Sequence, residues 1–110
     1  MTCGFPVLYL TGAGVSASRI GVADLGLTTM TEMPQAAALL CNLNLDILLI
    51  ADADTGYGGT LNISRTVKEY IRTGVAAFHL EDQVVTKKCG HLEGKQVVGL
   101  ESLSHGFVQP

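Results

Sequence analysis

Apolar positions along this chain fall into short continuous runs separated by stretches of helical period, and the alternation marks out strands and helices in turn. Val7–Leu10 is a short strand-like run closed by Thr11-Gly12-Ala13-Gly14, a turn whose two glycines let the backbone approach a ligand or another segment. A loop is expected after it. Over residues 30–42, Met33, Ala36, Ala37 and Leu40 recur at i, i+3, i+4 and i+7, the spacing that lays one apolar stripe on a helix. That helix starts either at a Thr29/Glu32 capping box or with Thr31 as cap and Pro34 in the first turn. Residues 46–53 are the second strand; because they are apolar on both faces, they suit a parallel sheet covered by helices. The next helix carries Ile63, Val67, Ile71 and Val75 in a stripe, with Ser64, Arg65, Lys68, Glu69 and Arg72 mostly outward, and Gly74 marks its end. Residues 75–80 are the third strand.

The order strand, helix, strand, helix, strand, with connections of crossover length, predicts α/β architecture around a parallel sheet. Repeated βα units close as an eight-fold barrel or stay open as a doubly wound sheet. A barrel takes about 250 residues. With 110 residues and three visible strands, the chain reads as a small open sheet or a piece of something larger. From Gly99 onward the sequence reads as a tail of weak periodicity.

Composition narrows the function classes. The chain is 47% apolar and 15% charged with positive mean hydropathy, which is globular and too poor in charge for disorder. A net charge of −3, with seven basic residues scattered along the chain, argues against a nucleic-acid surface, which needs clustered Lys and Arg. The longest apolar stretch is far short of the roughly 18 residues that cross a bilayer. Cys3, Cys41 and Cys89 share no metal or disulfide spacing, an odd count that predicts a reducing compartment. The expected location is the cytoplasm, or the mitochondrion were an N-terminal segment to precede residue 1.

The candidate chemistry lies where apolar runs stop at carboxylates. Residues 47–51 lead into Asp52-Ala53-Asp54-Thr55-Gly56-Tyr57-Gly58-Gly59, and the third strand leads into Glu81-Asp82-Gln83. Ionised groups at buried strand ends cost several kcal/mol or more without partners, and a divalent cation would be such a partner. On an extended chain Asp52 and Asp54 point to the same side, roughly 7 Å apart. Magnesium suits them, since it takes hard oxygen ligands and keeps several waters. The alternative is that one Asp caps the following turn and the other is solvated. The glycine-rich segment could turn amides toward an anion, but matches neither the P-loop nor the dinucleotide fingerprint. Asp24 is either a further ligand or a turn former. Cys89 sits among Lys87, Lys88 and His91, where positive charge favours thiolate, so it could be a proton donor or a nucleophile. Zinc at Cys89 and His91 lacks two further ligands. Cys3 and Cys41 read as small buried apolar residues, His79 as a satisfied core histidine and His105 as part of the tail.

Taken together, Asp52-Ala53-Asp54-Thr55-Gly56-Tyr57-Gly58 and Lys87-Lys88-Cys89-Gly90-His91 resemble the isocitrate lyase and phosphoenolpyruvate mutase superfamily over roughly residues 5–98. The second motif looks like that of its carbon–carbon lyase branch, which comprises isocitrate, 2-methylisocitrate and dimethylmalate lyases and oxaloacetate hydrolases. The resemblance implies a partial (β/α)8 TIM barrel of about three βα units, strands two to four of the family barrel, over residues 1–98, with 99–110 a tail outside the family pattern. It implies a Mg2+-dependent lyase or hydrolase (Mn2+ as substitute) acting on a small 2-hydroxy or 2-oxo di- or tricarboxylic acid. Thr11, Gly12, Ala13 and Gly90 would then bind substrate, Asp24, Asp52 and Asp54 would surround the metal, and Glu81 would hold it through water. Lys87 would belong to a mobile gating loop, and Cys89 would be the acid/base thiol with His91 beside it. The phosphonate-forming mutases, as a branch, do not carry this Cys, which disfavours phosphoryl or P–C chemistry. Family members are homo-oligomers. Because the family's first strand would precede Phe5 and strands five to eight would follow residue 98, the chain is expected to be a truncated form. The rival readings are a non-catalytic fragment that binds metal weakly or associates with an intact homologue, and a flavodoxin-like binding module with helices on both sheet faces.

Overall fold

The computed structural model describes residues 4–107. Cys3 lies outside them, and so does the side chain of His105. The three apolar runs form one sheet of β1 (Val7–Leu10), β2 (Leu48–Asp52) and β3 (Ala77–His79), in that spatial order and parallel throughout. The second and third strands are shorter than their apolar runs. Ahead of β2, the Asp46 and Ile47 amides donate to Asn44 instead of to a neighbouring strand, and Val75 N–H donates back to Tyr70 O before β3 begins.

In the register Leu8↔Leu49 and Ala51↔Phe78 these residues share one face, while Tyr9↔Ile50 and Asp52↔His79 share the other. On the first face Leu10, Leu49 and Ala51 pack with Val15, Met33, Ala36, Ala37 and Tyr70 into a single core, with Leu8 and Phe78 against it. The second face carries no helical cover, leaving Tyr9 49% and Leu48 56% exposed. This removes the flavodoxin-like alternative, which placed helices on both sheet faces. His79 lies on the open face and is exposed, hence not a core histidine; its Nδ1 pairs with the Tyr9 hydroxyl at 3.2 Å.

After β1 the chain does not loop but coils, through α1 (Gly12–Val15) and a π-helical turn (Ser16–Ile20), up to Gly21. Ser16 is buried here, and its hydroxyl donates to Ala23 O at 3.1 Å. Helix α2 (Glu32–Cys41) combines the two starts the sequence offered. Thr31 precedes it and Pro34 lies in its first turn, while the Glu32 carboxylate accepts from the Thr29 amide at 2.8 Å and from the Thr29 hydroxyl. The Thr29 hydroxyl and amide together lower the Glu32 pKa. Cys41 is half-buried against the core.

Helix α3 (Thr60–Thr73) ends at Gly74 as expected, but its buried face differs. Ile71 is 70% exposed, and the inward side runs through Ile63, Thr66, Val67 and Tyr70. Steps of four overshoot a 3.6-residue turn by about 40° each, so a 63-67-71-75 line drifts off the core while i, i+3, i+4, i+7 stays on it. Residues expected as tail form α4 (Leu100–Phe107), which packs on α3. Among the described residues no helix is long and apolar enough to cross a membrane.

Two substitutions test this packing. Met33→Ala, at a side chain with no exposed surface, should cost about 2–5 kcal/mol in urea unfolding. Ile71→Ser should stay within about 0.5 kcal/mol of wild type.

Candidate metal centre and active site

The site is built where parallel strands stop. Ala53 N–H donates to His79 O at 2.9 Å and Glu81 N–H to Asp54 O at 2.7 Å, so the ladder between the second and third strands continues past both and fixes Asp54 against Glu81. Asp54 itself has φ +45°. The chain therefore turns after Asp52 and does not stay extended, which replaces the expected separation along a strand with a cluster. One ligand oxygen from each of Asp52, Asp54 and Glu81 lies within 4.8 Å of the others. Asp residues tolerate this left-handed backbone better than most, and the turn is bonded internally, Asp54 N–H donating to Asp52 Oδ1 at 3.1 Å.

Two tyrosines, Tyr57 of the glycine-rich motif and Tyr70 of α3, hold the strand end. Tyr70, 1% exposed, donates its hydroxyl to Asp52 O, and Tyr57 reaches the same carbonyl at 3.5 Å. Burial, opposed by the Tyr57 hydroxyl beside it, pushes the Tyr70 phenol up to about 12, with the Asp52 and Asp54 charges adding to the rise. Gly56 is required by its surroundings: at φ +84° a Cβ would stand 2.4 Å from Ile63 Cγ1. Its amide is spent on Ala53 O at 2.8 Å, so the glycine-rich loop does not turn all its amides toward an anion.

Gly12 closes the cluster from the first strand. Its N–H donates to Asp52 Oδ2 at 3.1 Å, and a Cβ there would lie 2.9 Å from that oxygen and 3.3 Å from Asp54 Oδ1. Thr11 and Ala13 flank it on the exposed lip.

Lys87, 3% exposed, enters from the other side, its Nζ 2.8 Å from Asp24 Oδ1 and 2.7 Å from Asp54 Oδ1. Burial works against its charge, but the two carboxylates outweigh burial and raise its pKa. Asp24 is thereby an ion-pair partner and not only a turn former; its carbonyl also accepts the Cys89 amide at 3.1 Å. Of the charges that the sequence set beside the Cys89 thiol, that of Lys87 is engaged by carboxylates instead. Asp54 Oδ1 is buried, and the partner that reaches it is the Lys87 ammonium. Burial raises the Asp54 pKa above the ordinary 3.8, Lys87 draws it back, and the Asp52 and Asp24 charges push it up again.

Cys89 is half-buried, Gly90 and His91 are exposed, and nothing bonds these three to the acidic cluster directly. The link runs through Gln83, which is buried and donates from Nε2 to Glu81 Oε2 at 2.8 Å and to Lys88 O at 2.9 Å. No sequence signal singled out Gln83. A cleft of about 310 Å³ flanks Lys87 and Asp54, with Thr28, Thr55, Tyr57 and Arg65 in its walls.

The donor set fits a hard divalent cation. It is all oxygen and clustered, and glycine stands at the one place where a side chain would press on the carboxylates.

The family model described as phosphoenolpyruvate phosphomutase matches residues 1–104. The chain is 49% identical over 100 residues to a 2,3-dimethylmalate lyase of Eubacterium barkeri, covering 91% of this chain and 34% of the relative. It is also 49% identical over 98 residues to a chloroplastic carboxyvinyl-carboxyphosphonate phosphorylmutase of Arabidopsis thaliana, covering 89% and 29%. Among solved structures, oxaloacetate acetylhydrolase in complex with 3,3-difluorooxalacetate superposes with TM-score 0.91 at 50% identity, over 94% of this chain and 35% of that one. Phosphonopyruvate hydrolase in complex with oxalate and Mg2+ superposes with TM-score 0.77 at 26% identity, over 94% and 34%. The chain spans about a third of the length of the curated relatives it matches. Its parallel wall, helical on one face only, is part of a (β/α)8 barrel.

A group whose folded pKa is raised contributes stability that is complete below its ordinary pKa and lost as pH rises through the folded value; Asp54 is such a group. Lys87→Met, which leaves Asp54 buried without a counter-charge, should cost about 3–5 kcal/mol at neutral pH. Urea unfolding across pH should show that deficit shrinking on acidification as Asp54 takes up a proton.

Proposed function

The chain belongs to the phosphoenolpyruvate phosphomutase family, and on that footing we propose that it supplies the metal-holding and acid-bearing part of a Mg2+-dependent lyase or hydrolase. The reaction breaks a carbon–carbon bond in a small 2-hydroxy or 2-oxo di- or tricarboxylic acid of the methylisocitrate, dimethylmalate or oxaloacetate type. The observation that carries this reading is the convergence of Asp52, Asp54 and Glu81 within 4.8 Å at the ends of adjacent strands. Names of relatives support it: lyases that act on such acids match over nine-tenths of the chain.

Asp52 and Asp54 would hold Mg2+ or Mn2+, with Asp24 and Glu81 completing the shell, Glu81 through water. When bound, the cation supplies Lewis acidity toward the substrate's oxygen and carboxylate and offsets the negative charge that develops as the bond breaks. Thr11, Gly12 and Ala13 grip a substrate carboxylate. Since the Gly12 N–H is already donated to Asp52, the Thr11 hydroxyl and the Ala13 amide are the groups left for that task, with Gly90 the further residue assigned to substrate. Cys89 donates the proton to the carbon of the departing fragment, with His91 beside it, while Lys87 fastens its turn to Asp24 and Asp54. The plant phosphorylmutase makes P–C chemistry the competitor; Cys89 favours carbon–carbon cleavage. A second reading, a non-catalytic chain that binds metal and associates with an intact homologue, is favoured by the uncovered sheet face with Tyr9 and Leu48.

Calorimetry should find one Mg2+ per chain, lost in Asp54→Asn and retained in Cys89→Ser. Turnover of the three acids should disappear both in EDTA and in Cys89→Ser; turnover that persists in either rejects the lyase reading. Mg2+ uptake without turnover selects the non-catalytic one, and conversion of a phosphonate substrate selects the mutase.

A further inference from the structure

Gln83 commits both N–H donors and the carbonyl of its amide to two places, Glu81 and Lys88. Nε2 donates to Glu81 Oε2 at 2.8 Å and to Lys88 O at 2.9 Å, and Oε1 accepts from Lys88 N–H at 3.1 Å. A carboxamide has two N–H donors and one carbonyl. Here one donor faces the acidic cluster, and the remaining donor and the carbonyl clasp the C=O and N–H of one residue, Lys88, between Lys87 and Cys89. The side chain is 8% exposed, so water does not substitute freely. Its backbone is pinned as well: Gln83 bridges Val97, Val84 N–H donates to Gln96 O at 2.9 Å and Val98 N–H to Asp82 O at 2.8 Å. With the backbone held, the amide connects the Glu81 carboxylate to the Lys88 main chain.

No other common side chain does both. Glutamate would set a second carboxylate against Glu81 and a lone pair against Lys88 O. Asparagine is one methylene short, and leucine leaves the Lys88 N–H and C=O without these partners.

We propose that Gln83 is a positioning residue that yokes Glu81 to the Lys87–Cys89 turn, so that occupation of the acidic cluster by a divalent cation tightens the turn that carries the Cys89 thiol. The proposal rests on the reading of Glu81 as part of the metal shell. Residues that orient metal-binding carboxylates from behind commonly change affinity by about 10–100-fold when removed. Here the loss should be accompanied by a second one, since the turn would keep only its Lys87–Asp54 tie to the cluster.

The test uses the chain with Mg2+ alone as probe. Mg2+ affinity is measured by calorimetry, Lys88 amide exchange by hydrogen–deuterium exchange, and Cys89 alkylation by iodoacetamide with the modified peptide identified by mass, which separates it from Cys3 and Cys41. In wild type, Mg2+ should slow both Lys88 exchange and Cys89 alkylation. In Gln83→Leu, affinity should fall about 10–100-fold, and saturating Mg2+ should slow alkylation less than in wild type, the Lys87–Asp54 pair being the tie that remains. A folded Gln83→Leu with wild-type affinity and a wild-type response of Cys89 overturns the proposal. Should that variant not fold, wild type alone decides: Mg2+ binding that leaves Lys88 exchange unchanged overturns it too. Absence of Mg2+ binding to wild type sinks the metal reading and this proposal together, whereas the other failures sink this proposal alone.

Discussion

One ammonium group, Lys87 Nζ, stands between Asp24 and Asp54 with almost no access to water. Removing three charged groups from water costs several kcal/mol per ion unless each finds a close partner, so the loop carrying Asp24, the turn carrying Asp54 and the segment carrying Lys87 hold their positions jointly. Their backbones follow. The Cys89 amide bonds to Asp24 O, and the Glu81 amide to Asp54 O. Yet the pairing is incomplete. Asp24, Asp52, Asp54 and Glu81 bring four carboxylates to a neighbourhood with one buried ammonium. That surplus of negative charge is the physical case for a dication.

The fold delivers this arrangement through strand direction. Parallel strands end on the same edge, so every chain segment that leaves the sheet in the direction of β1, β2 and β3 passes the same place. Gly12 leaves β1 with an amide aimed at Asp52, Asp52 and Asp54 leave β2, and Glu81 leaves β3. Tyr70 fixes the β2 end by bonding the Asp52 carbonyl from α3, which couples the helical core to the site. The core and the site are thus on opposite sides of one residue, Asp52, whose main chain belongs to the first and whose carboxylate belongs to the second.

Much of this was legible in the sequence. Three apolar runs, a helix carrying Met33, Ala36 and Ala37 inward, and carboxylates placed where the runs stop were enough to give a parallel α/β sheet and the acidic cluster. What escaped has physical reasons. The coil over Gly12–Val15 and Ser16–Ile20 is too short to show a period. The α3 stripe was drawn with steps of four, which drift from a 3.6-residue turn and put Ile71 inside when it is outside. An extended backbone was assumed at Asp54, where φ is positive. His79 looked internal because a strand with apolar residues on both sides hides which face is covered. Tyr70 acts through a hydrogen bond to the carbonyl of Asp52, far back in the chain, and Gln83 through bonds set by how residues 81–88 turn; neither leaves a periodic pattern to read.

The most direct measurement is anomalous diffraction from crystals of the chain grown with Mn2+. The account predicts one strong peak among the Asp52, Asp54 and Glu81 carboxylates, at about 2.0–2.2 Å from at least one Asp oxygen, as for a hard octahedral cation, with Lys87 still paired to Asp24. A well-ordered cluster with no peak at saturating Mn2+, or a peak held by other residues, would contradict it.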